Sequence, residues 1–233
     1  MTDETARERA WTYGWLRRGL LTFVAALMLV LPLMLLGAAL TAEFGAALLL
    51  LAFALPLLAL TAFLATIAAA AWRTRVALVG GDLMLRVPAW RGGFPFPRYT
   101  HRRIPLTEIA SVEVREELAR SLGLSTVTKV ASVVTRAGER TVIATAAGGE
   151  LDALPVGAMA GAIAAAAGRR VTDRGMVEAG PSLATLLGRA GPAWDAPTIA
   201  PDQARRERSR ALQILQLVSA LTAMLLLLRA CLD

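Results

Sequence analysis

Apolar positions along this chain fall into three long unbroken runs and, between the second and third, into short alternating ones. Residues 20–41 carry no charged side chain. At about 1.5 Å rise per residue they make a helix of roughly 33 Å, enough to cross a hydrocarbon core about 30 Å thick. Residues 45–71 follow a connector whose one charge is Glu43, and their surplus length is taken up by tilt or by a bend at Pro56. The two runs predict a transmembrane helical hairpin over 19–72, preceded by an N-terminal segment, 1–18. A cleavable signal is a poor account of the first run, because the apolar core of a signal is only about 7 to 15 residues. The third run, 211–228, is at the short end of the spanning range and predicts a C-terminal transmembrane helix within 209–233. Residues 154–167 are also charge-free, but about 21 Å of helix is too short to span and reads as a soluble core helix.

Residues 73–170 read as one domain with mostly β signals. The runs RVALV (75–79) and LMLRV (83–87) flank Gly80-Gly81-Asp82 as a hairpin, with glycine where a tight turn wants positive φ. Residues 111–115 (SVEVR) alternate, which predicts a strand with one buried face and one facing water. Residues 128–134 and 140–144 flank 136–139 as a second hairpin. A helix is expected to follow, from an N-cap near Asp152 to a stop at Gly168. Residues 171–208, with Pro181, Pro192, Pro197 and Pro201, read as an irregular linker in which Trp194 either docks on the domain or on a partner, or stands exposed.

The stretch 103–114, Arg-Ile-Pro-Leu-Thr-Glu-Ile-Ala-Ser-Val-Glu-Val, lies between one hairpin and another that leads into a single helix. With that order it resembles the bacterial pleckstrin-homology-like (PH-like) domains of membrane proteins, over residues 75–168. The resemblance implies a bent antiparallel sheet capped by a helix, and no catalytic residues. The expected fold class is therefore a membrane protein, α plus β, with a transmembrane hairpin, a PH-like domain and a C-terminal transmembrane helix.

Composition agrees with a membrane chain: 56% of the 233 residues are hydrophobic and 18% are charged. The net charge of +7 is concentrated in residues 72–103. Arg7, Arg9, Arg17 and Arg18 precede the first span, Arg73 and Arg75 follow the second, and Arg205, Arg206, Arg208 and Arg210 precede the third. Arginine retention on the cytoplasmic side predicts a bacterial inner-membrane protein with its N-terminus and PH-like domain cytoplasmic and its C-terminus periplasmic. Trp11, Tyr13, Trp15 and Trp72 mark one membrane interface.

Chemistry-bearing groups are few. His101 is the single histidine and Cys231 the single cysteine, which excludes a multi-cysteine zinc site, an internal disulfide or a histidine-based triad built within one chain. Glu113, Glu116 and Glu117 could pair as acid and base, but a charged strand end facing water is the simpler account. No catalytic residue, metal ligand or cofactor is expected, and no nucleic-acid motif accompanies the basic stretch. Two binding candidates remain. Trp90, Arg91, Phe94, Phe96, Arg98, Tyr99, Arg102 and Arg103 interleave aromatic and basic side chains and are expected to contact anionic lipid. Gln213, Gln216 and Ala220 share one face of the third run and are expected to contact a protein helix, of this chain, a second copy or a partner. The function these features imply is an interaction or assembly module for a membrane complex, or alternatively an anionic-lipid-sensing surface.

Overall fold

The computed structural model describes residues 8–88, 99–121, 124–147, 153–180, 191–207, 209 and 213. The third apolar run lies outside the described residues except for 213. What is described falls into two compact units, one up to residue 104 with 153–154, the other from residue 105 onward.

In the first unit, strand β1 (Arg9–Trp11) leads into helices α1 (Trp15–Ala39) and α2 (Phe44–Arg73). The helices have 25 and 30 residues, so at 1.5 Å per residue they are about 38 and 45 Å long. Both are long and apolar enough to cross a membrane, and only 11% of each apolar window is buried. Leu27, Met34, Leu49 and Phe53 stand exposed, an outer surface that would be unfavourable in water. The inner face is built from small residues. Ala54, Thr61 and Ala68 of α2 are buried at a spacing of seven, which lets the backbones approach along one seam. Thr61 Oγ1 lies 2.8 Å from the Leu57 carbonyl of its own helix and 3.1 Å from the Met28 carbonyl of α1, so its one hydrogen is shared between them. At the other end Trp72 Nε1 donates to Thr22 Oγ1 (3.0 Å) and Arg18 Nε to the Ala71 carbonyl (3.3 Å).

Thr74 ends α2 in an extended conformation, its hydroxyl donating to the Ala70 carbonyl, and the chain passes directly into strand β2 (Arg75–Val79). Strands β3 (Asp82–Pro88) and β4 (Tyr99–Pro105) complete a sheet of order β1-β2-β3-β4. The predicted β2–β3 hairpin is present, closed at Val79 and Asp82 over Gly80 and Gly81 with φ of 57° and 87°, the left-handed pair that a two-residue turn requires. β1 was not foreseen. Three residues before the hairpin pair with three after it, so both ends of the hairpin are held in one sheet.

The second unit opens on a 3-10 turn (Leu106–Glu108), followed by β5 (Ile109–Ser121), β6 (Leu124–Thr135) and β7 (Arg140–Ala147) as antiparallel neighbours. Helix α3 (Val156–Ala166) buries Val156, Met159, Ala160, Ile163 and Ala164, one stripe at helical spacing. It is a core helix as expected and stops at Gly168, although it starts at Pro155 rather than near Asp152, which lies outside the described residues. Strand β8 (Val171–Ala179) then pairs parallel to β5, giving a mixed sheet of order β7-β6-β5-β8.

Three expectations change here. The β residues form two four-stranded sheets, one of them mixed, where an entirely antiparallel sheet was expected. Residues 171–208 are not an irregular linker throughout, since 171–179 form a strand and 201–207 a helix. β8 runs parallel to β5 because helix α3 carries the chain back before it, and within β8 a bulge at Gly175 (φ 69°), its amide bonded to Asp173 Oδ1 at 2.8 Å, shifts the register so that Met176 and Val177 are both buried. The third concerns β5, taken up below.

Candidate functional site

The polar side chains of β5 do not face water. Glu113, Arg115 and Glu117 are 3%, 1% and 4% exposed, while Val112, Val114 and Leu118 on the alternate positions are buried as well. The strand is covered on both faces, which corrects the reading of these glutamates as a solvated strand end. Glu116 is only partly buried.

Buried ions persist only when they are paired and hydrogen-bonded. Glu113 receives Arg174 Nη2 at 2.6 Å and Arg140 Nη2 at 3.0 Å, one on each carboxylate oxygen. Burial alone pushes this carboxyl upward, but hydrogen bonding from Arg174 and the charges of Arg140 and Arg174 outweigh it and hold its pKa below the ordinary value. Arg115 pairs with Glu117 (Nη2–Oε1 2.6 Å) and donates from Nη1 to the Ala193 carbonyl (2.8 Å) and from Nη2 to the Pro192 carbonyl (2.7 Å). Trp194 lies over both arginines, its ring centroid 3.9 Å from Arg115 Cζ and 4.8 Å from Arg140 Cζ. Trp194 therefore docks on its own domain, settling the alternatives left open by the sequence.

The segment that carries it is fastened further along. Ile199 N donates to the Met176 carbonyl (2.7 Å), and Thr198 bridges Val177. Ala204 joins Leu118 and Met176 in a core cluster with Val127 and Ile199 against it. Glu207 accepts Arg120 Nη2 at 3.0 Å and Ser125 Oγ at 3.2 Å, and Arg120 and Ser125 are register partners at the end of the β5–β6 hairpin. One sequence signal pointed to this network: acidic, basic and acidic residues at 113, 115 and 117 share one face of a strand and can neutralise each other.

Of the expected lipid contacts, Trp90, Arg91, Phe94, Phe96 and Arg98 lie outside the described residues. Tyr99, Arg102 and Arg103 are on β4. Arg103 is bound to Asp82 through Nε at 2.7 Å, and its side chain is nevertheless 72% exposed. Tyr99 has Arg73 Cζ 5.7 Å from its ring centroid. Gln213 is helical and exposed, whereas Gln216 and Ala220 lie outside the described residues. Among the described residues no three His, Cys, Asp or Glu side chains are grouped as metal ligands.

Compared with known proteins, the chain matches no family model, no curated protein and no solved structure.

Proposed function

We propose that this chain is a non-enzymatic, membrane-anchored interaction module, in which a cytoplasmic PH-like domain serves the assembly of a bacterial inner-membrane complex. The observation that carries this reading is the helical hairpin: two helices of spanning length with an apolar outer surface, the second running through Thr74 straight into a β-sheet. Lipid satisfies that surface, and helices satisfy their own backbone groups there. The PH-like assignment is supported by element order, antiparallel strands joined by hairpins and followed by one helix with a buried stripe, while β1 and the parallel β8 are additions to it. The non-enzymatic reading is supported by the β5 network, whose ions are engaged with one another and with main-chain carbonyls rather than held ready for a substrate.

Full-length protein expressed in bacterial membranes should stay in the pellet after an alkaline carbonate wash. Extracted in mild detergent, it should carry a stoichiometric second membrane protein in native mass spectrometry. Release by carbonate would overturn the anchoring, and lipid as the sole companion would favour the lipid-sensing alternative.

A further inference from the structure

The first sheet places two arginines directly opposite each other. Arg75 on β2 and Arg86 on β3 are register partners, and both are exposed. Cross-strand partners on one face stand about 5 Å apart at Cβ, where like charges repel. Among the described residues neither Arg75 nor Arg86 forms an ion pair, and the carboxylate on this hairpin, Asp82, is held by Arg103. Arg73, exposed in the last turn of α2, adds a third guanidinium two residues before Arg75, its charge partly offset by the helix C-terminus. Tyr99 sits in the same corner. Burial raises its pKa, and the charges of Arg73 and Arg86 act against that rise. Its hydroxyl oxygen is buried with no partner at hydrogen-bond geometry among the described residues, and Arg73 Cζ lies 5.7 Å from its ring centroid. Among the described residues the corner thus holds a surplus of donors and positive charge, with no carboxylate to accept from Arg75 or Arg86.

We propose that Arg73, Arg75 and Arg86 form a binding site for the phosphate of an anionic phospholipid headgroup. Phosphate oxygens supply the missing acceptors, and guanidinium groups match them in charge and in bidentate geometry. A lipid is the source the surroundings favour, because Arg73 closes a helix with an apolar outer surface and Trp72 beside it is exposed with its indole N–H bound to Thr22 of α1. This inference rests on the membrane-anchored reading and gives its lipid-sensing alternative a specific site. It involves no residue of the 90–98 stretch.

The test uses the full chain in mild detergent supplemented with phosphatidylglycerol or phosphatidylcholine. Phosphatidylglycerol should raise the melting temperature more than phosphatidylcholine does, and native mass spectrometry should show it preferentially retained, with the preference falling as salt increases. Arg75→Gln with Arg86→Gln should cut that preference by about tenfold or more, at roughly 1 kcal/mol per basic residue. Arg75→Lys with Arg86→Lys should keep most of it, and Arg136→Gln, in an exposed turn of the other unit, should leave it intact. In phosphatidylcholine Arg75→Gln alone should melt at or above the wild-type temperature, since it removes a repulsion. An equal phosphatidylglycerol response in the double glutamine variant, or none in the wild type, would overturn the site. Matching stabilisation by soluble glycerol 3-phosphate in neutral detergent would overturn the lipid as its ligand. Carbonate extraction of the same protein reads the anchoring separately, so loss of lipid preference in a protein that stays in the pellet rejects this site alone.

Discussion

Arg115 illustrates how much one side chain can carry. It is 1% exposed, joins β5 to the 192–194 segment through two carbonyls and a stacked ring, and pairs with Glu117 on its own strand. Arg115→Ala removes the cation paired with the buried Glu117 and the donor to the Pro192 and Ala193 carbonyls, and should cost about 3 to 5 kcal/mol. Trp194→Ala removes the stacking but leaves the ion pair, and should cost about 1 to 2 kcal/mol. Hydrogen exchange across Ile109–Ser121 should report both, with the larger loss of protection for Arg115→Ala. Glu113 makes the network sensitive to acid. Its folded pKa lies below the unfolded value of about 4.3, so its stabilising contribution is complete above that pH and is lost as pH falls through the folded value. Melting temperature should therefore drop less steeply with acidification in Glu113→Gln than in the wild type, although the variant starts lower at neutral pH because Arg140 and Arg174 lose their charged partner.

At the scale of elements, short-range pattern proved readable where one constraint dominates. Gly80 and Gly81 announce the β2–β3 turn because few other residues adopt left-handed φ cheaply, and the spacing in 156–164 announces the buried face of α3. The same logic failed for β5. Alternation in SVEVR implied water on the polar face, but that face is covered by the Trp194 segment, over 70 residues away in sequence. β8 was missed because its bulge breaks the period, and Gly175 in mid-strand is usually read as a loop signal. Gly175→Ala should cost about 1 to 2 kcal/mol through its φ of 69° alone, since Thr198 is only at ordinary contact distance from an added Cβ. Increased exchange of the Ile199 amide, which bonds to Met176, would be the readout. In the helical hairpin, Thr61→Val should cost about 0.5 to 1.5 kcal/mol by removing the hydrogen shared with Met28, measured by unfolding in a denaturing detergent titration.

For the whole molecule the prediction is one of topology. Arginines flank both ends of the α1–α2 hairpin, while its turn holds Glu43 alone. Reporter fusions after Gly168 should read cytoplasmic and those after Asp233 periplasmic. A periplasmic signal at Gly168 would reverse the arrangement, and would also move the Arg75 and Arg86 corner to the opposite leaflet. The pairing of β1 with β2 already limits the options, because residues just before α1 and just after α2 share one sheet and so lie on one side of anything the hairpin crosses.

Sequence alone determined the two apolar helices α1 and α2, the β2–β3 and β6–β7 hairpins and the core helix, since each depends on composition or on periodicity within a few residues. Tertiary structure decided what each strand face meets. It brought Pro192, Ala193 and Trp194 over Arg115 and turned three charged residues from a solvated surface into a buried network. The physical reason is that desolvation and charge pairing depend on what lies within a few ångströms in space, and for these residues those neighbours come from distant parts of the chain.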